Sequence, residues 1–231
     1  MKECSVCCLP ETQDGITFDE QGKCNVCEQI EIKKHVVDWE KRKESLVKLC
    51  GKFRGKSTYD CIVPFSGGKD STYQLWYLVE VLKMKPLVFS YDHGFYRPLH
   101  LENRERTLKK IGVDFLTFKS NWKIVRELML ESLKRKGDFC WNCHCGIYSG
   151  AMQMSVKFKI PLIFWGQPNA EYDSYGYSYE EIEVVDEKQY NRYINLGITA
   201  EDMIGMLPDW VKMRDLDIFR FPKLEELREL G

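Results

Sequence analysis

The stretch Tyr59-Asp60-Cys61-Ile62-Val63-Pro64-Phe65-Ser66-Gly67-Gly68-Lys69-Asp70-Ser71 decides how this chain is read. Tyr59 to Phe65 is an apolar run of strand length, and Asp70 to Leu82 carries helical periodicity, so Ser66 to Ser71 forms the turn between them. Two adjacent glycines let the backbone approach a ligand closely, and a helix N-terminus presents unpaired N–H groups that suit phosphate oxygens. Ser66 and Ser71 add hydroxyl donors. Lys69 supplies the positive charge needed where a phosphoanhydride breaks, and Asp70 can cap the helix or help hold Mg²⁺. The spacing is neither a Walker loop, which needs G-x-x-x-x-G-K-[ST], nor a dinucleotide fingerprint, which needs three spaced glycines.

Working outward, the pattern alternates. Pro86–Tyr91 predicts a strand, Leu99–Ile111 a helix, Asp114–Phe118 a strand, Trp122–Lys136 and Gly146–Phe158 helices, and Ile160–Trp165 a further strand. This alternation predicts an α/β fold, a doubly wound parallel sheet in a Rossmann-like α/β/α sandwich. Such sheets bind ligands at the carboxyl ends of their strands. Two more strand ends therefore matter: Tyr91-Asp92-His93-Gly94-Phe95, and Gly166-Gln167-Pro168-Asn169. Gly166 permits close approach. Gln167 and Asn169 offer neutral donors and acceptors suited to a sugar or amide, although polar residues are ordinary in a turn. A single imidazole at a strand end, His93, reads as structural or solvent-facing.

From Phe139 to Ala170 only Lys157 and Lys159 are charged among 32 residues, which reads as a pocket wall. It opens with Cys140-Trp141-Asn142-Cys143-His144-Cys145-Gly146. Cys140 and Cys143 are candidates for a second metal or iron–sulfur site, or for a thiol lowered in pKa by the helix N-terminus that carries sulfur or binds substrate. The competing reading is packed structural thiols.

At the other end, Cys4-x2-Cys7 and Cys24-x2-Cys27 are separated by 16 residues containing Gly15 and Gly22. Two turns, each presenting two thiolates, close a tetrahedron around Zn²⁺, and a segment too small for its own core needs that bond to fold. Residues 1–30 thus read as a zinc ribbon, with Cys8 as a spare. Interleaved charged and apolar residues follow, so 31–57 reads as a helical linker, and from residue 189 Thr199–Met206 and Leu224–Leu230 predict helices.

Composition narrows the classes further. The chain has 231 residues, 44% hydrophobic and 13% aromatic, with a mean hydropathy of −0.40, which fits an ordinary globular protein. Lys plus Arg is 34 and Asp plus Glu 35, a net charge of −1 that argues against life on a nucleic-acid backbone. No apolar run reaches membrane-spanning length and no secretory signal opens the chain, so a cytoplasmic, membrane-free protein is expected.

Together these motifs carry a resemblance. Ser66–Ser71 (SGGKDS) after an apolar strand resembles the PP-loop pyrophosphatase signature of the HUP-like folds. Adding the four N-terminal cysteines, YDHGF at 91–95, CWNCHCG at 140–146 and FWGQPNAEY at 164–172, the chain resembles the N-acetyl sugar amidotransferase family over most of its length. The resemblance implies a PP-loop ATP-binding domain over 58–188 and a C-terminal helical extension over 189–231, which in other members runs on further. It implies that Pro64, Phe65, Ser66, Gly67, Gly68, Lys69, Asp70, Ser71, Asp92 and Gly166 surround ATP and Mg²⁺, with Lys69 and Asp70 catalytic. It further implies adenylation of the acetamido oxygen of an N-acetylated nucleotide sugar, with ammonia from glutaminase and cyclase-like partner subunits giving an acetamidino sugar. Two other classes stay open. One is a PP-loop tRNA-modifying enzyme of thiolase or lysidine-synthase type, its ribbon gripping RNA, and the other a degenerate nucleotide-binding scaffold, which the intact Lys69 and Asp70 oppose.

Overall fold

Three strands run parallel in the order β1-β2-β3: β1 (Cys61–Pro64), β2 (Pro86–Asp92) and β3 (Asp114–Lys119). They belong to a computed structural model that describes residues 1–13, 15–166 and 190–230. Among these residues the chain divides into two units, one holding Met1–Lys48 and a larger one holding Leu49–Gly166 and 190–230.

In the larger unit the expected strand Ile160–Trp165 is reduced to one parallel bridge, Ile163 beside Ile62. Ile62 N donates to Leu162 O at 2.8 Å and Phe164 N to Ile62 O at 2.9 Å. The chain therefore winds outward from β1 through β2 to β3, then returns to the opposite side of β1. That reversal makes the carboxyl end of β1 a topological switch point, where doubly wound sheets form their ligand crevice.

The helices follow from local signals, with instructive exceptions. Pro98 opens α4 (Pro98–Ile111), and Gly112, left-handed, closes it. Asn121 caps α5 (Trp122–Lys136) by accepting from Lys123 N at 3.0 Å. The helix read over Asp70–Leu82 is instead α3 (Lys69–Trp76) followed by a π-helical turn, Tyr77–Val81, in which Leu82 N reaches back to Tyr77 O. Helix α6 (Trp141–Phe158) starts five residues before the expected Gly146, because Cys140 O accepts from Cys143 N at 2.9 Å and His144 N at 3.0 Å.

Alternation along β2 points Leu87, Phe89 and Tyr91 to one face and Val88 and Ser90 to the other. Helix α4 covers the second face, where Arg104 reaches Ser90. Helix α6 covers the first, and its glycines set how closely. A Cβ on Gly146 would stand 2.6 Å from the Tyr91 ring, and one on Gly150 2.8 Å from Phe89. Gly146→Ala is accordingly expected to lower stability by about 1–3 kcal/mol through overpacking; an unchanged urea midpoint would show that the helix can retreat freely.

Within 139–170, the low charge of α6 has a packing cause. Helix α6 is buried on both sides, against the sheet and against the chain beyond residue 190. Trp141 Nε1 donates to Asn195 O at 3.1 Å and Ile198 O at 2.9 Å, and Ser149 Oγ donates to Ile218 O at 2.6 Å. Phe219, on a 3₁₀ turn (Met213–Phe219), packs on Tyr91 and Trp141. The short helices α7 (Ala200–Ile204) and α8 (Leu224–Leu230) complete this segment; Ala200, Met203, Leu216 and Phe219 join the larger unit's core, whereas α8 buries no residue. Among the described residues no helix is long and apolar enough to cross a membrane.

The smaller unit has two tight turns, each with a single antiparallel bridge, Glu3 with Pro10 and Phe18 with Cys24. Asp19 Oδ1 organises the second by accepting from Gln21 N and Lys23 N, both at 2.9 Å. Helix α1 (Asn25–His35) follows, and α2 (Trp39–Phe53) contains the division between the units.

Candidate functional site

The loop and the four N-terminal cysteines belong to different units and are described in turn. At the carboxyl end of β1, Pro64 closes the strand and Phe65 turns into the core, its N donating to Phe89 O at 2.8 Å. These two shape the site through backbone, not side chain. The chain then turns at Gly67, whose φ of +81° disfavours any other residue. Gly68 is the N-cap of α3 and has no side chain to occupy the helix's leading N–H groups. Ser66 Oγ accepts from Gly68 N at 3.2 Å and lies 3.1 Å from Ser71 Oγ, so the two hydroxyls face each other across the turn.

Lys69 projects almost wholly into solvent, 89% exposed, and pairs with Asp70 at 2.7 Å. The hydrogen bond that Lys69 donates to the Asp70 carboxylate raises the Lys69 pKa, which keeps the ammonium charged throughout the neutral range. Gly166 closes the other side of the turn: a Cβ there would stand 3.2 Å from Gln74 Oε1 and 3.5 Å from Ser71 Cα. The strand ends either side of the switch point are thus brought together as expected. Gln167 and Asn169 lie outside the described residues.

Asp92, at the end of β2, is already engaged. It accepts from Gly94 N at 2.8 Å and pairs with Lys119 at 3.3 Å, which makes it the organiser of its own turn. His93 is half-buried between Phe95 and Tyr96, and burial pushes its pKa below the ordinary imidazole value. Two residues escaped the sequence reading, His100 and Arg104. One turn apart on α4, they lie against Gly67: His100 Nε2 donates to Ser66 O at 2.7 Å, and a Cβ on Gly67 would stand 3.4 Å from Arg104 Cβ. No local signal marks them, since 99–110 reads as an ordinary charged amphipathic helix.

At the N-terminus of α6, burial acts against the thiolate, one of the alternatives open for these cysteines. Burial, with Asp138 beside it, raises Cys140, and burial pushes Cys143 up to about 11. Cys145 is buried and donates to Asn195 Oδ1 at 3.0 Å, a packed structural thiol. Helix dipoles help only thiols that water can reach, so desolvation wins here. At pH 7 about one Cys143 in ten thousand would be a thiolate. Timed iodoacetamide labelling read by mass spectrometry should therefore find Cys143 slow at pH 7 and faster as pH rises; rapid labelling at neutral pH would contradict this.

Among the described residues, the group of three or more convergent metal-ligating side chains is Cys4, Cys7, Cys24 and Cys27, with all four Sγ within 4.8 Å of one another. Cys4 Sγ lies 3.9 Å from Cys27 Sγ, and Cys7 Sγ 3.5 Å from Cys24 Sγ. A tetrahedron of Zn–S bonds of about 2.3 Å has edges of about 3.8 Å. The thiols fit Zn²⁺ as they stand, and Cys8 points elsewhere as the spare. Burial opposes ionisation of Cys4, yet the surrounding backbone N–H groups of Cys7, Val6 and Cys24 bring it down to about 6. Burial, together with neighbouring thiols, raises Cys24 and pushes Cys27 up to about 12. Four crowded thiols cannot all ionise alone; a dication removes that conflict.

No family model matches this chain. An uncharacterized protein from Methanocaldococcus jannaschii is 27% identical over 143 residues, 61% of this chain and 50% of that protein, so the match spans about half the length of the curated relative. Among solved structures, the NH3-dependent NAD synthetase of Campylobacter jejuni in complex with nitrate aligns with a TM-score of 0.44 and 13% identity, over 84% of this chain and 92% of that one. An NMN synthetase from Francisella tularensis aligns with a TM-score of 0.42 and 10% identity, over 84% and 92%.

Proposed function

We propose that this protein is a PP-loop ATP-dependent, AMP-forming amidotransferase acting on an N-acetylated nucleotide sugar, a cytoplasmic step toward a surface-polysaccharide or flagellin glycan. One observation carries the reading. At the switch point, Ser66–Ser71 combines a left-handed glycine, a helix N-terminus with no side-chain cap, two facing hydroxyls and a protonated lysine, opposite Gly166. Such a turn seats the β and γ phosphates of ATP on α3's leading amides. Asp70 is the carboxylate in the turn, and Mg²⁺, which takes few protein ligands and completes its shell with phosphate oxygens, needs no more.

The chemistry then follows from leaving groups. An amide oxygen leaves poorly, so the acetamido oxygen attacks the α phosphorus and pyrophosphate departs. Ammonia next adds to the activated carbon, and AMP leaves with the former amide oxygen to give the acetamidino group. Lys69 and the loop amides meet the charge that grows on pyrophosphate, an interaction stronger in the transition state than in bound ATP. Ammonia would be delivered by glutaminase and cyclase-like partners. The Cys4/Cys7/Cys24/Cys27 unit would hold structural zinc.

The test is phosphorus NMR of ATP with protein, ammonium and a panel of N-acetylated nucleotide sugars. AMP and pyrophosphate formed only with a sugar present are expected. ADP and phosphate would refute AMP-forming chemistry, and AMP formed with tRNA but with no sugar would move the assignment to RNA modification.

A further inference from the structure

Arg104 is only 6% exposed, yet no carboxylate among the described residues pairs with it. Its Nη1 donates to Ser90 Oγ at a long 3.4 Å, and its Nε is buried without a hydrogen-bond partner. The guanidinium lies between two rings, 5.1 Å from the centroid of Tyr96 and 5.2 Å from that of Phe115. Aromatic faces hold a cation without neutralising it. A buried charge lacking its counter-charge weakens a fold, and an apolar side chain of the same shape would suit this position better for stability alone.

The position explains the retention. Arg104 backs directly onto Gly67, and Tyr96, the ring beneath its guanidinium, stacks on His100 at 4.8 Å with the planes 7° apart. His100 in turn donates to Ser66 O. Loop, imidazole, phenol and guanidinium form one packed column. The nearest acid of the β2 turn, Asp92, is taken by Lys119 and Gly94 N. His93 lies 4.2 Å from Tyr96, and its burial lowers its pKa.

We propose that Arg104 is a positioning residue for the bound polyphosphate, a permanent positive charge left unpaired within the protein and balanced by the anion seated on Ser66–Ser71. This rests on the reading of that loop as an ATP site. The charge acts through the low-dielectric wall behind Gly67, and the column through Tyr96 and His100 keeps the Ser66 carbonyl turned away from the anion.

The experiment compares Arg104→Met and Arg104→Lys with the unaltered chain, measuring the thermal midpoint and the calorimetric affinity for inorganic pyrophosphate and for ATP. Arg104→Met should melt at or above the unaltered protein while binding pyrophosphate about tenfold or more weakly, because a charge acting through protein is screened far less than one in water. Arg104→Lys, which keeps the charge, should recover most of the affinity. Unchanged pyrophosphate affinity in Arg104→Met would overturn the proposal, as would a lowered midpoint with equal loss in both variants, the mark of a purely structural residue. An unaltered protein that binds neither pyrophosphate nor ATP would instead defeat the loop reading itself, and this proposal with it.

Discussion

Lys69→Ala is expected to cut AMP formation by at least about 10²–10³-fold while leaving the protein folded and its metal in place. The two halves of that expectation have separate causes. The side chain is 89% exposed and its ion pair with Asp70 lies at the surface, so its removal uncovers no core. Exposed pairs contribute little, so a surface truncation of this kind leaves stability essentially unchanged. Function is different, because a positioned donor facing charge that develops during reaction is worth about 3–4 kcal/mol. The raised Lys69 pKa adds a pH signature: its contribution is complete at neutral pH and fades only well into the alkaline range. Steady-state pyrophosphate release, with circular dichroism and metal analysis as controls, reads both halves. Normal turnover in the variant would refute the role assigned to Lys69.

The second large effect belongs to the cysteines. Cys24→Ser is expected to lose zinc and melt residues 1–35, while the larger unit keeps its structure. The buried centre of the small unit is Cys4, Cys24 and Cys27, with only Leu9, Ile16, Phe18 and Val26 packed around them. So small a cluster cannot offset the entropy of ordering its chain, whereas structural zinc contributes about 10–16 kcal/mol in small peptides near pH 7. The pH dependence has a definite sign. With Cys27 near 12 and Cys4 near 6, the metal-free site is mostly protonated at pH 7, so zinc binding must release protons and weaken as pH falls. Elemental analysis and hydrogen exchange on the full chain would show both the loss and its confinement. Unchanged zinc content would mean that three thiols suffice, contrary to the geometry.

What could be read ahead of the structure was whatever depends on near neighbours. The helices expected over Leu99–Ile111 and Trp122–Lys136 form as α4 and α5, and the strand-to-helix turn at Ser66–Ser71 lies where its glycines indicate. The paired CxxC spacing likewise anticipated a convergent tetrad. Features decided by distant partners were illegible. The start of α6 was hidden because Cys140 is not an ordinary capping residue, and the packing of the chain beyond 190 on the far side of α6 is set by partners distant in sequence. The thiol shifts at Cys140 and Cys143 depend on burial, which no dipole argument from sequence contains. Arg104 looks like any arginine of a charged helix until Ser90, Tyr96 and Phe115 close around it.

The bonds from Trp141 to Asn195 and Ile198, and from Ser149 to Ile218, also govern how this chain is made. A chain leaving the ribosome from its first residue presents β1, β2 and β3 long before the segments that seal α6 against them. Through that interval Phe89 and Tyr91 lack their full cover, and the nascent chain is exposed to aggregation and to chaperones. The ligands of the small unit, by contrast, all lie between Cys4 and Cys27, ahead of β1, so they can converge on a metal before the strands of the larger unit have emerged.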